Sequence, residues 1–167
     1  SDALALSALV KLRDGIEDVC RDGADIDGRE NMLIGAMLAG QAFSNAPCAA
    51  VHALAYPLGG FFHVPHGLSN ALVMTGVMDY NMPNANGLYG QISEHLRLGD
   101  NGVHLIDEMQ RIKDATGVPQ TLASVDIPDT AIEMMADDAM TKTRLLMNNP
   151  REMTHAATVN IYQGIAS

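Results

Sequence analysis

The chain has 167 residues, 47% of them apolar and 18% charged, and carries a formal net charge of −10 at neutral pH. That length suits one domain of ordinary size, and that composition excludes a disordered or polyionic chain. An acidic surface without a Lys/Arg cluster repels phosphate, which argues against a nucleic-acid groove.

Seven aromatic residues and no Trp stand against eleven Met, so the core is built mainly from Ala, Leu, Ile and Met, a composition that favours helices over strands. No apolar run approaches the ~20 residues that span a bilayer, and no charged segment followed by an apolar one opens the sequence. The expectation is a chain with no membrane contact, placed in the cytoplasm. Cys20 and Cys48 have neither metal nor redox spacing and read as reduced core thiols. Ser1-Asp2-Ala3-Leu4 is already in helical periodicity, which suggests the interior of a longer protein or a cut at a domain boundary.

From Leu4 to Cys20, apolar residues recur at three and four (Leu6, Leu9, Val10, Leu12, Ile16, Val19), an amphipathic helix closed by Asp22-Gly23. A second helix from Gly28 to Phe43 has little polar surface and reads as central and buried. Ser44-Asn45-Ala46-Pro47 breaks it, and a third runs from Pro47 to Tyr56. Pro57-Leu58-Gly59-Gly60 predicts a turn, followed by a helix from Pro65 to about Asn81. Further helices are expected over 85–98, 103–116, 128–146 and 150–165, with Asp100 or Asn101 capping the second of these and Gly117 with Pro119 ending it. Only Gln120–Val125 could be extended. The fold expected is all-α, a compact array of about eight helices in a single domain over 1–167.

Chemistry concentrates in Val51-His52-Ala53-Leu54-Ala55-Tyr56-Pro57-Leu58-Gly59-Gly60-Phe61-Phe62-His63-Val64-Pro65-His66-Gly67-Leu68-Ser69-Asn70, which holds three of the six histidines. His52 lies towards the end of one helix and His66 in the first turn of the next, so the intervening turn can bring their imidazoles together. Two imidazoles on adjoining helix ends can share a cation that favours nitrogen, Fe²⁺ or Zn²⁺. A carboxylate or a further His must complete such a site. Without other context the same pair also fits interface or helix-cap residues, and His63 with His66, three apart, could share one helix face, a pairing common by chance.

The string His52-Ala-Leu-Ala-Tyr-Pro-Leu-Gly-Gly through Val64-Pro-His66-Gly-Leu-Ser-Asn-Ala resembles the signature of the iron-containing alcohol dehydrogenase family. There, two metal-binding histidines bracket a Pro-Leu-Gly turn and the second sits in a Pro-His-Gly triplet. Arg29-Glu30-Asn31-Met32 to Phe43-Ser44-Asn45 and Asn149-Pro150-Arg151-Glu152 extend the resemblance along the chain. It implies the helical C-terminal domain of the dehydroquinate synthase-like fold, with Fe²⁺ or Zn²⁺ held by His52 and His66. It also implies NAD(P) bound by an N-terminal α/β domain of which this chain shows no Gly-rich strand–turn–helix unit. The other two metal ligands, an Asp and a His four residues later, would precede this segment. Asp100 and His104 show that spacing but lie downstream, where capping explains them better.

In this family the metal acts as a Lewis acid on an alcohol or aldehyde oxygen while hydride passes to or from nicotinamide. Tyr56 stands where many members have a histidine near the substrate, and a phenol with an ordinary pKa of about 10 is a poorer proton carrier at neutral pH than imidazole. Tyr56 and His63 are therefore the candidate catalytic residues, with packing the competing role for Tyr56. Phe43 falls where the family lines its substrate pocket, although it fits a helix core equally. His95, His104 and His155 read as surface residues.

The resemblance implies a small alcohol or aldehyde substrate, a homo-oligomer, and a chain inactive without its other half. Three alternatives compete. The chain could be a non-catalytic helical fragment or oligomerisation module. It could be a relative of maleylacetate reductases, against which His52 and His66 argue. It could be a small metal protein completed by Asp100 and His104.

Overall fold

The computed structural model describes residues 1–167 and is all helical, with no β-strand. Eight α-helices follow in order: α1 Asp2–Arg21, α2 Ile26–Phe43, α3 Ala50–Phe62, α4 His66–His95, α5 Gly102–Thr116, α6 Ile132–Met140, α7 Thr143–Leu146 and α8 His155–Gln163. Short 3₁₀ turns occupy Ala123–Val125 and Asp129–Ala131. No helix is long and apolar enough to cross a membrane. Contacts divide the chain into two compact units, one of Ser1–Pro47 with Gly87–Gly117, the other of Cys48–Asn86 with Val118–Ser167.

In the first unit α1 packs along α2 through small residues. A Cβ on Gly15 would lie 2.8 Å from the Gly28 carbonyl oxygen, and one on Gly35 would lie 2.7 Å from Leu12 Cγ. The buried residues of α2 are therefore Gly28, Gly35 and Ala42. This corrects the expectation of a central, buried α2, because Ile26, Leu33, Met37 and Phe43 are 53–74% exposed. The close approach uses the side with no side-chain bulk and leaves the large apolar residues uncovered. Cys20 is exposed and Cys48 half-buried, so both thiols are free as expected but neither is a core residue. Asn101 caps α5, its side chain accepting from the Val103 N–H at 3.0 Å, and Gly117 ends that helix in the left-handed conformation at φ 67°.

The second unit holds the larger core, where Leu54, Leu58, Leu72, Leu122, Met135 and Tyr162 have no exposed surface. Here the turn expected at Pro57-Leu58-Gly59-Gly60 is absent, and α3 runs through it to Phe62. Proline removes a helical hydrogen bond and crowds the preceding turn, costing ~3 kcal/mol in an isolated helix. Pro57 is fully buried beside Leu54 and Leu58, and the packing of that face outweighs the cost. Tyr162 reinforces the interrupted turn by donating its hydroxyl to the Leu54 carbonyl at 2.7 Å. Burial raises the Tyr162 pKa far above that of an ordinary phenol, so it remains a donor throughout the working range.

Three other boundaries differ from the sequence expectation. The helices foreseen over 65–81 and 85–98 are one 30-residue α4, which continues through Pro83. The single helix foreseen over 128–146 is divided at Thr141-Lys142 into α6 and α7. The start expected at Pro150 moves to His155, because 149–152 is drawn off into a polar knot. In that knot Asn81 and Asn149 exchange amide hydrogen bonds of 3.0 and 2.7 Å, and the Arg151 guanidinium sits 4.1 Å from the Tyr80 ring centre. Gln120–Val125 forms no strand, although the Leu122 and Ala123 N–H groups donate to Ile165 and Ala166 at 2.7 and 3.1 Å.

Two substitutions test this packing. Gly15→Ala presses a methyl on the Gly28 carbonyl, and such overpacking costs ~1–3 kcal/mol, against the ~1 kcal/mol that Ala gains over Gly in a helix. Urea denaturation should show a net loss, whereas Gly40→Ala, with nothing within 4 Å of the added Cβ, should gain stability. Tyr162→Phe withdraws the donor from the Leu54 carbonyl and should cost about 1–3 kcal/mol by the same measurement.

Candidate metal-binding half-site

The three histidines of the motif segment sit around a single chain reversal. His63 ends α3 in the left-handed conformation at φ 58°, with its N–H on the Gly59 carbonyl at 3.1 Å, and the Val64 N–H reaches the Leu58 carbonyl at 3.2 Å. Val64 is buried, and the buried Ser69 hydroxyl returns to the Val64 and Pro65 carbonyls, each at 3.2 Å. Pro65 disfavours helical geometry at Val64, and α4 begins at His66. The reversal thus lies at 63–65, not at the Pro-Gly-Gly run.

His52, in the first turn of α3, and His66, at the start of α4, face each other with ring centres 5.2 Å apart and planes tilted by 53°. Tyr56, one helical turn after His52, lies 6.3 Å from the His66 ring at 37°. His52 is half-buried, while His66 and Tyr56 are exposed. Burial, and secondarily the neighbouring His66, lower the His52 pKa below that of an ordinary imidazole, which favours the neutral form that can bind a cation. Two imidazoles on one tetrahedral ion, at ~2.0–2.1 Å per bond, place their ring centres roughly 5 Å apart. The observed pair fits that requirement.

No group of three or more His, Cys, Asp or Glu side chains that could hold a metal exists anywhere in the chain. No third side chain of that kind joins the pair within this chain. Asp100 and His104 add nothing to it: they belong to the other unit, where Asp100 is exposed and His104 is half-buried with Nδ1 sequestered and unpartnered. That burial corrects the surface reading of His104.

Of the other sequence candidates, His63 supplies the left-handed residue of the reversal and its side chain is exposed. Phe43 is the last residue of α2, 58% exposed, in the first unit. His95 is exposed as expected. His155 is exposed too, but is partnered, with Nε2 3.0 Å from Asp137 and 3.8 Å from Glu133. The residue that sequence reasoning missed is Asn70, whose Nδ2 lies 3.1 Å from His66 Nε2. The i,i+4 spacing of His66 and Asn70 on α4 was the available signal.

Residues 1–166 match the family model described as the Fe-containing alcohol dehydrogenase family, C-terminal. The chain is 36% identical to long-chain-alcohol dehydrogenase 1 of Geobacillus thermodenitrificans, over 98% of its own length and 43% of that protein's. It is 32% identical to alcohol dehydrogenase 4 of Saccharomyces cerevisiae, over 96% of itself and 43% of the relative. Among solved structures it superposes on a 1,3-propanediol oxidoreductase with a TM-score of 0.90 and 28% identity, covering 98% of this chain and 44% of the other. The chain thus spans somewhat less than half the length of the relatives it matches.

The His52 environment has a pH consequence. Its folded pKa lies below its unfolded one, so on acidification the unfolded chain takes up the proton first. Stability is then lost as pH falls through the unfolded value of about 6.5 and levels off below the folded pKa. Denaturant titrations from pH 8 to 5 should show wild type losing more stability than His52→Gln over that window.

Proposed function

The chain belongs to the Fe-containing alcohol dehydrogenase family, and on that premise we propose that it is the helical, metal-holding half of an enzyme that interconverts a small alcohol and its aldehyde or ketone. The observation that supports this reading is the His52–His66 pair, whose 5.2 Å ring separation fits two nitrogens of one cation site. A bound Fe²⁺ or Zn²⁺ would supply Lewis acidity towards the substrate oxygen, and NAD(P) would accept or give the hydride.

In this reading His52 and His66 are the chain's two metal ligands. Partial burial lowers the His52 pKa, which weakens the competition of the proton with the cation. Tyr56 is exposed, 6.3 Å from the His66 ring, and in this reading its hydroxyl orients a substrate oxygen or passes a proton through water. His63, at the reversal, is the alternative proton carrier. Phe43 would give apolar contact to the substrate carbon chain. The remaining ligands and the cofactor site come from a companion half that precedes this segment, and the chain alone is inactive. The whole enzyme works in the cytoplasm as a homo-oligomer.

A second reading makes the chain a non-catalytic helical module, and the exposed Ile26, Leu33, Met37 and Phe43 of α2 favour it. A maleylacetate reductase-like relative that lacks the metal set is disfavoured by the paired imidazoles.

The test is metal content and alcohol-dependent reduction of NAD(P) by the chain, alone and joined to the companion half. The proposal expects activity and about one bound Fe²⁺ or Zn²⁺ only in the joined form. Partners that merely stand behind a metal ligand are worth ~10–100-fold, so His52→Ala and His66→Ala should each lose more than about 100-fold in activity together with the metal. An inert joined protein that forms a stable oligomer would favour the second reading.

A further inference from the structure

Asn70 follows His66 by one helical turn on α4, and its amide Nδ2 lies 3.1 Å from His66 Nε2. An amide nitrogen donates and cannot accept, so this contact requires Nε2 to carry the lone pair and Nδ1 to carry the proton. The other end of the amide, Oδ1, is buried and has no hydrogen-bond partner. An unpaired buried oxygen is destabilising, and a side chain placed only for packing would be better apolar. The amide therefore spends its single hydrogen bond on the imidazole.

We propose that Asn70 is a positioning residue that selects the tautomer of His66, holding the proton on Nδ1 and keeping the Nε2 lone pair formed before any cation arrives. The inference deepens the metal-holding role proposed above and rests on it for its purpose, though the tautomer is a property of the metal-free chain. A cation needs an imidazole nitrogen free of its proton, and a free imidazole exchanges its proton between both nitrogens. Partners of metal-bound imidazoles usually accept from the nitrogen away from the metal. Here the partner holds the ligand nitrogen itself and gives it up when a cation takes the lone pair. The ring is thereby kept turned towards His52, 5.2 Å away.

The experiment is long-range ¹H–¹⁵N spectroscopy of the His66 imidazole in the metal-free 167-residue chain, about two pH units above the ~6.5 of an ordinary histidine. Wild type should be protonated on Nδ1. Asn70→Ala should shift the tautomer ratio towards Nε2–H by about fivefold, the factor one neutral hydrogen bond is worth, with an unfolding midpoint at or above wild type. Asn70→Asp, which can only accept, should move the proton to Nε2. A wild-type His66 protonated on Nε2 would overturn the proposal whatever the variants do, since the amide would then accept from the ring. An unchanged ratio in Asn70→Ala would overturn it equally. Zn²⁺ is added in a separate titration. If the Nδ1–H form is present and answers to Asn70, but Zn²⁺ leaves the His52 and His66 signals unmoved in the chain joined to its companion half, the tautomer assignment is supported and the metal reading fails alone.

Discussion

The reversal at His63–Val64–Pro65 is the constraint from which the candidate site follows. A left-handed conformation at a residue with a Cβ costs roughly 1–2 kcal/mol, and His63 adopts it at φ 58°. The cost is met locally by the His63 and Val64 N–H bonds to the end of α3, by burial of Val64, and by the Ser69 hydroxyl on the carbonyls of the turn. Because these groups fix where α4 begins, His66 enters with its ring facing His52. A reversal at Pro57, as the residue pattern alone suggests, would have ended α3 at Tyr56, between the two histidines. Pro57 instead stays inside α3, held by complete burial and by the Tyr162 hydroxyl on the Leu54 carbonyl.

This arrangement gives two imidazoles whose ring centres have the spacing that one cation requires, and no third donor. The chain matches long-chain-alcohol dehydrogenase 1 over 98% of itself but only 43% of that protein's length. Ile26, Leu33 and Met37 recur at seven and four, and together with Phe43 they remain open while the glycines of α2 seat it against α1. A helix apolar on nearly every side is normally covered on more than one.

Much of this was legible in the sequence. The all-α class followed from periodicity and from a core of Ala, Leu, Ile and Met, and the count of eight helices came out right. It did so partly by cancellation, since α4 merges two expected helices and α6 with α7 divides one. Local rules failed where tertiary packing overrode them. A turn was expected at Pro57 and a break between 81 and 85, yet Pro57 and Pro83 each sit inside a helix, Pro57 in full burial and Pro83 two residues after Asn81, which Asn149 holds. The width of the apolar surface on α2 was read as burial, whereas the contact is made by its glycines. His52 and His66 were found from the motif, and their convergence was anticipated for the wrong turn. Asn70 was overlooked because an Asn inside a helix carries no signal of its own until its neighbour one turn back is known to matter.

The central claim is that the chain builds the two-imidazole arrangement by itself, before any cation arrives. Nuclear Overhauser contacts among the ring protons of His52, Tyr56 and His66 in the metal-free chain test it most directly. Direct contacts from His66 to His52 and weaker ones to Tyr56 are expected. A His66 ring in contact with neither would contradict it and would mean that the reversal does not bring the histidines together.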